Sequence, residues 1–211
     1  MQLSRWWIGL GIVVVTCGLS VDAEAQSRRG SRGWRLGVGS GFDVGGEVDP
    51  EGPRNDQNLR ATFLFRGHAD VGVFERRKGE ALIGIALGPK VRMSWWEAKD
   101  APFEDRSFLF DILFGVYLTV DWNDLRFKHG PALGMLISAV DDDVNLDNPA
   151  VGFVLDYTAA GVEWWFSAGM ALFVDLGATL HFFTHDVDVG SGDVEMELRQ
   201  MMMEGGIIFE L

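Results

Sequence analysis

Thiols are nearly absent from this 211-residue chain, whose single cysteine is Cys17. One cysteine closes no intrachain disulfide and leaves no thiolate cluster for a zinc or iron–sulfur site. Positive charge is also scarce: 18 Lys and Arg stand against 31 Asp and Glu, a formal net charge of −13. So acidic a chain has no basic footprint for nucleic acid. Beyond the N-terminal segment there is no apolar run of the ~20 residues that a membrane-spanning helix needs. Helical membrane proteins are thereby excluded.

The N-terminal segment itself has three parts. Arg5 supplies positive charge, Trp6–Val15 is apolar, and Ala23-Glu24-Ala25 has the small-x-small pattern of a cleavage site. Residues 1–25 are expected to be a secretory signal peptide that is removed. Cys17 lies within it, and Thr16 is bulkier than the residue that precedes a lipidated cysteine, so the mature chain is expected to be thiol-free. Residues 26–33, QSRRGSRG, form a basic, flexible lead-in without periodicity.

What the chain has in abundance is alternation. In Phe108–Trp122 every even position is apolar, from Phe108, Phe110 and Ile112 to Val120 and Trp122. The odd positions include Asp111, Gly115, Thr119 and Asp121. Period 2 marks a β-strand with two different environments. Ordinary strands run about 5–6 residues, whereas a tilted strand crosses a bilayer in ~9–11. This stretch has the length of a membrane stave.

The same pattern recurs through residues 34–211. Trp34–Val44, Ala61–Val73, Ile83–Trp95, Leu125–Ala139, Val151–Tyr157, Met170–Phe182 and Met201–Leu211 each carry one apolar row. With the stretch above, this predicts eight strands, joined alternately by long polar loops and short turns. An up-and-down meander of that kind puts every long loop at one end, as outer-membrane barrels do. Two irregularities are expected. His129-Gly130-Pro131 predicts a bulge or kink, and a further bulge near Ala159-Ala160-Gly161 is needed to keep Glu163 off the apolar face.

Volume decides which face points inward. An eight-stranded barrel has an interior just wide enough to be filled by side chains. Rows rich in Phe, Leu, Ile, Met and Trp would overfill it, as a soluble lipocalin-type barrel would require. The other face is rich in Gly, Ala, Ser and Thr, and it carries Arg66, Asp70, Lys90, Arg92, Asp111, Asp156, Asp175 and Glu204. A midplane Arg or Lys facing lipid costs ~2–4 kcal/mol, so these eight are expected to meet as a charge network inside the lumen. Arg66, Lys90, Asp175 and Glu204 are expected near mid-depth. Trp34, Trp122 and Trp165 fall at short-turn ends and Trp95 at a long-loop end, which predicts an aromatic girdle at each interface.

This architecture, with an alternating apolar C-terminus GIIFEL, resembles the small eight-stranded outer-membrane barrels of the OmpA membrane-domain, OmpX and OmpW type. That class usually ends in an aromatic residue; here Leu211 is last and Phe209 precedes it by two. The resemblance implies an all-β, antiparallel, up-and-down transmembrane barrel over residues 34–211 in the outer membrane of a Gram-negative bacterium. It implies a monomer surrounded by lipid and lipopolysaccharide and inserted by barrel-assembly machinery, with no cofactor.

Chemistry is sparse. Some barrels of this class modify lipid A, and His181 and His185 lie near a predicted rim beside Thr184, Ser191 and Glu195. The His-x-Ser pair of a deacylase is missing there. Asp141, Asp143, Asn145 and Asp147 have the alternating oxygen spacing of a calcium loop, but Leu146 stands where its turn glycine belongs. A solvated acidic loop is the favoured reading. The expected function is therefore a non-enzymatic outer-membrane barrel, structural, adhesive or a minor small-solute pore with an ion-paired lumen. A lipid A-modifying enzyme and an OmpW-type conduit for hydrophobic molecules are the alternatives.

Overall fold

The structure, a computed structural model, describes residues 33–50, 57–58, 60–97, 106–140, 150–186 and 193–211. The expected signal peptide and nearly all of the lead-in lie outside these residues, as do Asp141, Asp143, Asn145 and Asp147. Eight long strands follow one another: β1 (Trp34–Pro50), β2 (Thr62–Lys78), β3 (Ala81–Glu97), β4 (Arg106–Trp122), β5 (Leu125–Val140), β6 (Ala150–Ser167), β7 (Met170–Asp186) and β8 (Asp193–Glu210). A two-residue strand, Gln57–Asn58, adds to β1 at Glu47 and Val48.

Each strand pairs antiparallel with the next, and β8 returns to pair with β1, so the sheet closes. Closure requires stagger. Followed around the ring, Val38 pairs with Gly67, then Val91, Ile112, Met135, Phe153, Phe182 and Glu197, and arrives back on β1 at Asp49. The strands are therefore tilted, and the barrel has no open edge. Residues 79–80, 123–124 and 168–169 make the turns at one end, called the turn end, where Trp34 and Leu211 also lie. Asn123 takes the positive φ of 53° that a tight hairpin turn demands. The opposite end is the loop end.

The two expected irregularities meet in one bulge. The β5–β6 register shifts at Lys128–Gly130 and the β6–β7 register at Thr158–Ala160, and the extra residue is on β6 at Ala159–Ala160, while β5 keeps its register with β4. Gly130 sits at φ 153°, with the Val116 carbonyl oxygen 2.2 Å from where a Cβ would be. Only glycine fits there. Further shifts, between Val44 and Gly46, Gly72 and Phe74, and Trp165 and Ser167, were not signalled by the sequence; the one at Gly72–Phe74 exposes both Val73 and Phe74 on the outside. The charged run Glu75–Lys78 belongs to β2, so the turn that follows is confined to residues 79–80.

The apolar rows face outward. Ile112, Phe114, Val116 and Leu118 are each about half exposed, while Asp111, Leu113, Tyr117 and Thr119 between them are buried. Near the loop end, Phe42, Phe63, Phe65, Trp95 and Phe108 form an unbroken series of edge-to-face contacts across four strands, with ring centroids 4.9–6.4 Å apart. Trp34 and Trp122 are exposed at the turn end. Trp165 corrects the sequence reading: it is buried in the lumen, and Trp164 occupies the outer surface in its place. The cause is the Thr158–Ala160 bulge, which reverses the parity of the rest of β6 and turns Glu163 and Trp165 inward together.

Candidate functional site: the charged lumen

The lumen is where polar chemistry collects. Among the described residues, five Lys and Arg side chains are buried there (Arg35, Arg66, Lys90, Arg92 and Lys128), against seven carboxylates. The carboxylates are Asp43, Asp70, Asp111, Asp156, Glu163, Asp175 and Glu204. The narrow bore forces these groups within reach of one another, and burial forces them to pair.

At mid-depth, Arg66 Nη1 donates to Asp175 Oδ2 at 2.5 Å and to Glu204 Oε2 at 3.0 Å. Lys90 Nζ reaches the other oxygen of Glu204 at 3.1 Å and Asp156 Oδ2 at 2.9 Å. Lys128 Nζ lies 3.2 Å from Asp175 and 3.9 Å from Glu163, and 5.1 Å from the centre of the Tyr117 ring. Towards the loop end, Arg92 holds Asp111 Oδ2 through Nε at 2.8 Å and Nη2 at 2.6 Å. Its Nη1 donates to Thr179 Oγ1 at 2.5 Å and lies 3.6 Å from Asp156. One connected network thus runs Lys128–Asp175–Arg66–Glu204–Lys90–Asp156–Arg92–Asp111, drawing on every strand but β1.

Asp70 stands apart from that chain. It takes Arg35 Nε at 2.7 Å and Nη2 at 2.5 Å, which ties β1 to β2 at the turn end. Of the eight charges expected in the lumen, seven meet in one network, and Asp70 is the exception. Arg35, Lys128, Glu163, Asp43 and His68 were not among those eight. Arg35 and Asp43 alternate with the apolar row of β1, a signal that was available. Lys128 keeps the inward parity of Ala132 and Leu136 on β5, a signal that was also available, whereas Glu163 lies past the β6 bulge, where parity alone misplaces a residue.

His181 is another correction. It does not lie free at the rim but is enclosed on β7, with Arg92 Nη2 2.8 Å and Asp111 Oδ2 3.2 Å from its Nε2. An arginine only donates, so Nε2 accepts there. The side chain of His185 is outside the described residues. His68 is buried as well; its ring meets Phe173 edge-on at 5.3 Å and occupies the space a side chain at Gly37 would need.

Apolar clusters flank the charged belt. Trp165, Ala171, Phe173 and Ile208 pack together at the turn end. At the loop end Leu109, Leu136, Val154, Phe183 and Leu198 close over it. Charges shielded on both sides from bulk water interact strongly, and they are costly to leave unpaired.

No protein-family profile matches this sequence, and no curated protein matches it. Solved structures do. Neisserial surface protein A superposes with a TM-score of 0.53 at 14% identity, over 86% of this chain and 98% of its own. Here the likeness is one of fold. The chain is an eight-stranded barrel of the small outer-membrane type. Two others align more loosely: the outer-membrane protein OprG of Pseudomonas aeruginosa (TM-score 0.38, 8% identity, 85% and 96% of the two chains) and Ail, the attachment invasion locus protein of Yersinia pestis (0.34, 10%, 84% and 99%).

Proposed function

We propose that this chain is a non-enzymatic protein of the Gram-negative outer membrane, whose barrel is closed along its axis and which serves as a structural or adhesive element. The observation that carries this reading is the lumen itself. Arg66, Lys90, Arg92, Asp175 and Glu204 are all essentially inaccessible to solvent and joined in one ion-paired plug between two apolar clusters. An exterior of half-exposed Phe, Leu, Val and Met supports a lipid environment, with lipopolysaccharide against the aromatic arc at the loop end. The enclosure of His181 speaks against a catalytic rim. Recordings of the purified barrel in a planar bilayer test the closed state. Conductance close to the bare-membrane level is expected; large, steady single-channel steps would replace this reading with an open small-solute pore.

One feature of the wall favours a second reading, the lateral conduit. The β6 bulge at Ala159–Ala160 faces Gly130 on β5, and just outside it Tyr157 Oη and His129 Nε2 are 2.7 Å apart while His129 Nδ1 lies 2.8 Å from the Ala159 carbonyl. If that seam opens, a hydrophobic fluorescent solute should enter vesicles faster with the protein than without it. The His129→Leu variant, freed of the polar clasp, should then be faster still.

A further inference from the structure

Close beneath the loop end, an arc of four contiguous strands carries polar groups that no part of the plug uses. Asp43 on β1 is fully buried, and neither carboxylate oxygen has a hydrogen-bond partner among the described residues. Thr62 faces it directly from β2. Ser94 follows on β3, and Gln200 lies on β8 one inward position beyond Met202, the residue paired with Asp43. Thr62 Oγ1, Ser94 Oγ and Gln200 Oε1 and Nε2 are buried and equally without a partner. Buried polar atoms in native proteins are almost always satisfied, and several orphans in one place point to a bound species.

The charges around Asp43 narrow down what that species is. Arg92, on β3, is the lumen cation that lies towards this end. Yet Arg92 has each of its three nitrogens engaged by Asp111, Thr179 or His181. Among the described residues the lumen holds two more buried carboxylates than Lys and Arg side chains. Glu163 keeps only a long ion pair, 3.9 Å from Lys128, and Asp43 has no hydrogen-bonded partner among the described residues. One missing positive charge per site suits a monovalent ion. No group of three or more His, Cys, Asp or Glu able to hold a metal occurs among the described residues, which removes the anionic cage a divalent ion would use.

We infer that the cluster around Asp43 binds a small monovalent inorganic cation such as sodium, held by one carboxylate and the neutral oxygens of Thr62, Ser94 and Gln200. Hard oxygen donors around a single carboxylate suit such an ion and give it little beyond charge and hydration to replace. The inference rests on the burial of Asp43, not on whether the barrel conducts. A leaky wild type would overturn the closed-lumen reading and leave this one standing.

The test is the unfolding temperature of the refolded barrel in neutral micelles, read from the mobility difference between folded and unfolded forms. Sodium chloride is compared with N-methylglucamine chloride at equal ionic strength. The midpoint should be ~3 °C or more higher in sodium, as ligation of the native state alone requires. Asp43→Asn should abolish the difference, whereas Glu197→Gln, at an exposed ion pair with Arg199, should retain it. Should Asp43→Asn not fold, Thr62→Val removes one oxygen at constant shape and should reduce the sodium response. Equal midpoints in the two salts for the wild type, or a full response in Asp43→Asn or in Thr62→Val, would overturn the proposal.

Discussion

Asp175 and Glu204 face each other directly across the β7–β8 ladder, a pairing of like charges that is unfavourable in a sheet by itself. Arg66 reaches them from β2 and places one nitrogen between the two carboxylates. The three residues are separated by 109 and 138 positions in sequence, so the contact exists only when the barrel is closed.

Replacing Arg66 by Ala should therefore strike both stability and permeability. Removing one member of a buried charged set costs ~3–5 kcal/mol when burial is complete. The denaturant midpoint in micelles should fall accordingly. In a planar bilayer the variant should conduct where the wild type does not, and favour cations, because two carboxylates remain unneutralised. Glu204→Gln should shift selectivity the opposite way. A stable, non-conducting Arg66→Ala barrel would mean that the plug is not held by these charges.

Trp164 and Trp165 offer a sharp contrast at one locus. Trp165 fills the turn-end cluster beside Ala171, Phe173 and Ile208, so Trp165→Ala should cost ~3–5 kcal/mol through the cavity it leaves. Trp164 faces outward, and Trp164→Ala should cost less than ~1 kcal/mol. Fluorescence with brominated lipid checks the geometry independently. In a Trp165→Phe variant the lipid-quenched fraction of emission should rise, and in Trp164→Phe it should drop.

Gly130 is the backbone position on which the close approach of β5 to β4, opposite the β6 bulge, depends. Any side chain there meets the Val116 carbonyl and an unfavourable φ, a conformational cost of ~1–3 kcal/mol before the overlap is counted. Gly130→Ala should lower the refolding yield, seen as loss of the fast-migrating folded band on an unheated detergent gel. Normal yield would show that this approach relaxes.

The sequence made the wall legible and the lumen only partly so. Alternation from Phe108 to Trp122 sufficed to read strand type, facing and membrane length, because lipid outside and packed charges inside demand opposite residues at every second position. His129-Gly130-Pro131 and the misplaced Glu163 disclosed one irregular seam from its two sides, the glycine of β5 and the bulge of β6. The Gly72–Phe74 bulge carried no such mark, since Val73 and Phe74 are both apolar and both fit the outside. Trp165 was misassigned although the bulge before it was anticipated, because the parity change must be carried through to the strand's end. Which carboxylate each lumen cation takes is fixed by reach across the bore. Arg35 on β1 and Asp70 on β2 are direct cross-strand neighbours, yet Arg66 bypasses its own neighbours for β7 and β8.

The central claim is that the apolar row faces lipid and the charged row faces inward, and single cysteines placed along β4 test it most directly. In a background lacking Cys17, cysteines at positions 110, 112, 114, 116 and 118 should react with a lipid-soluble maleimide in vesicles and resist a charged one. Those at 111, 113, 117 and 119 should resist the lipid-soluble reagent. Uniform labelling along the strand, or the opposite alternation, would contradict the barrel as described.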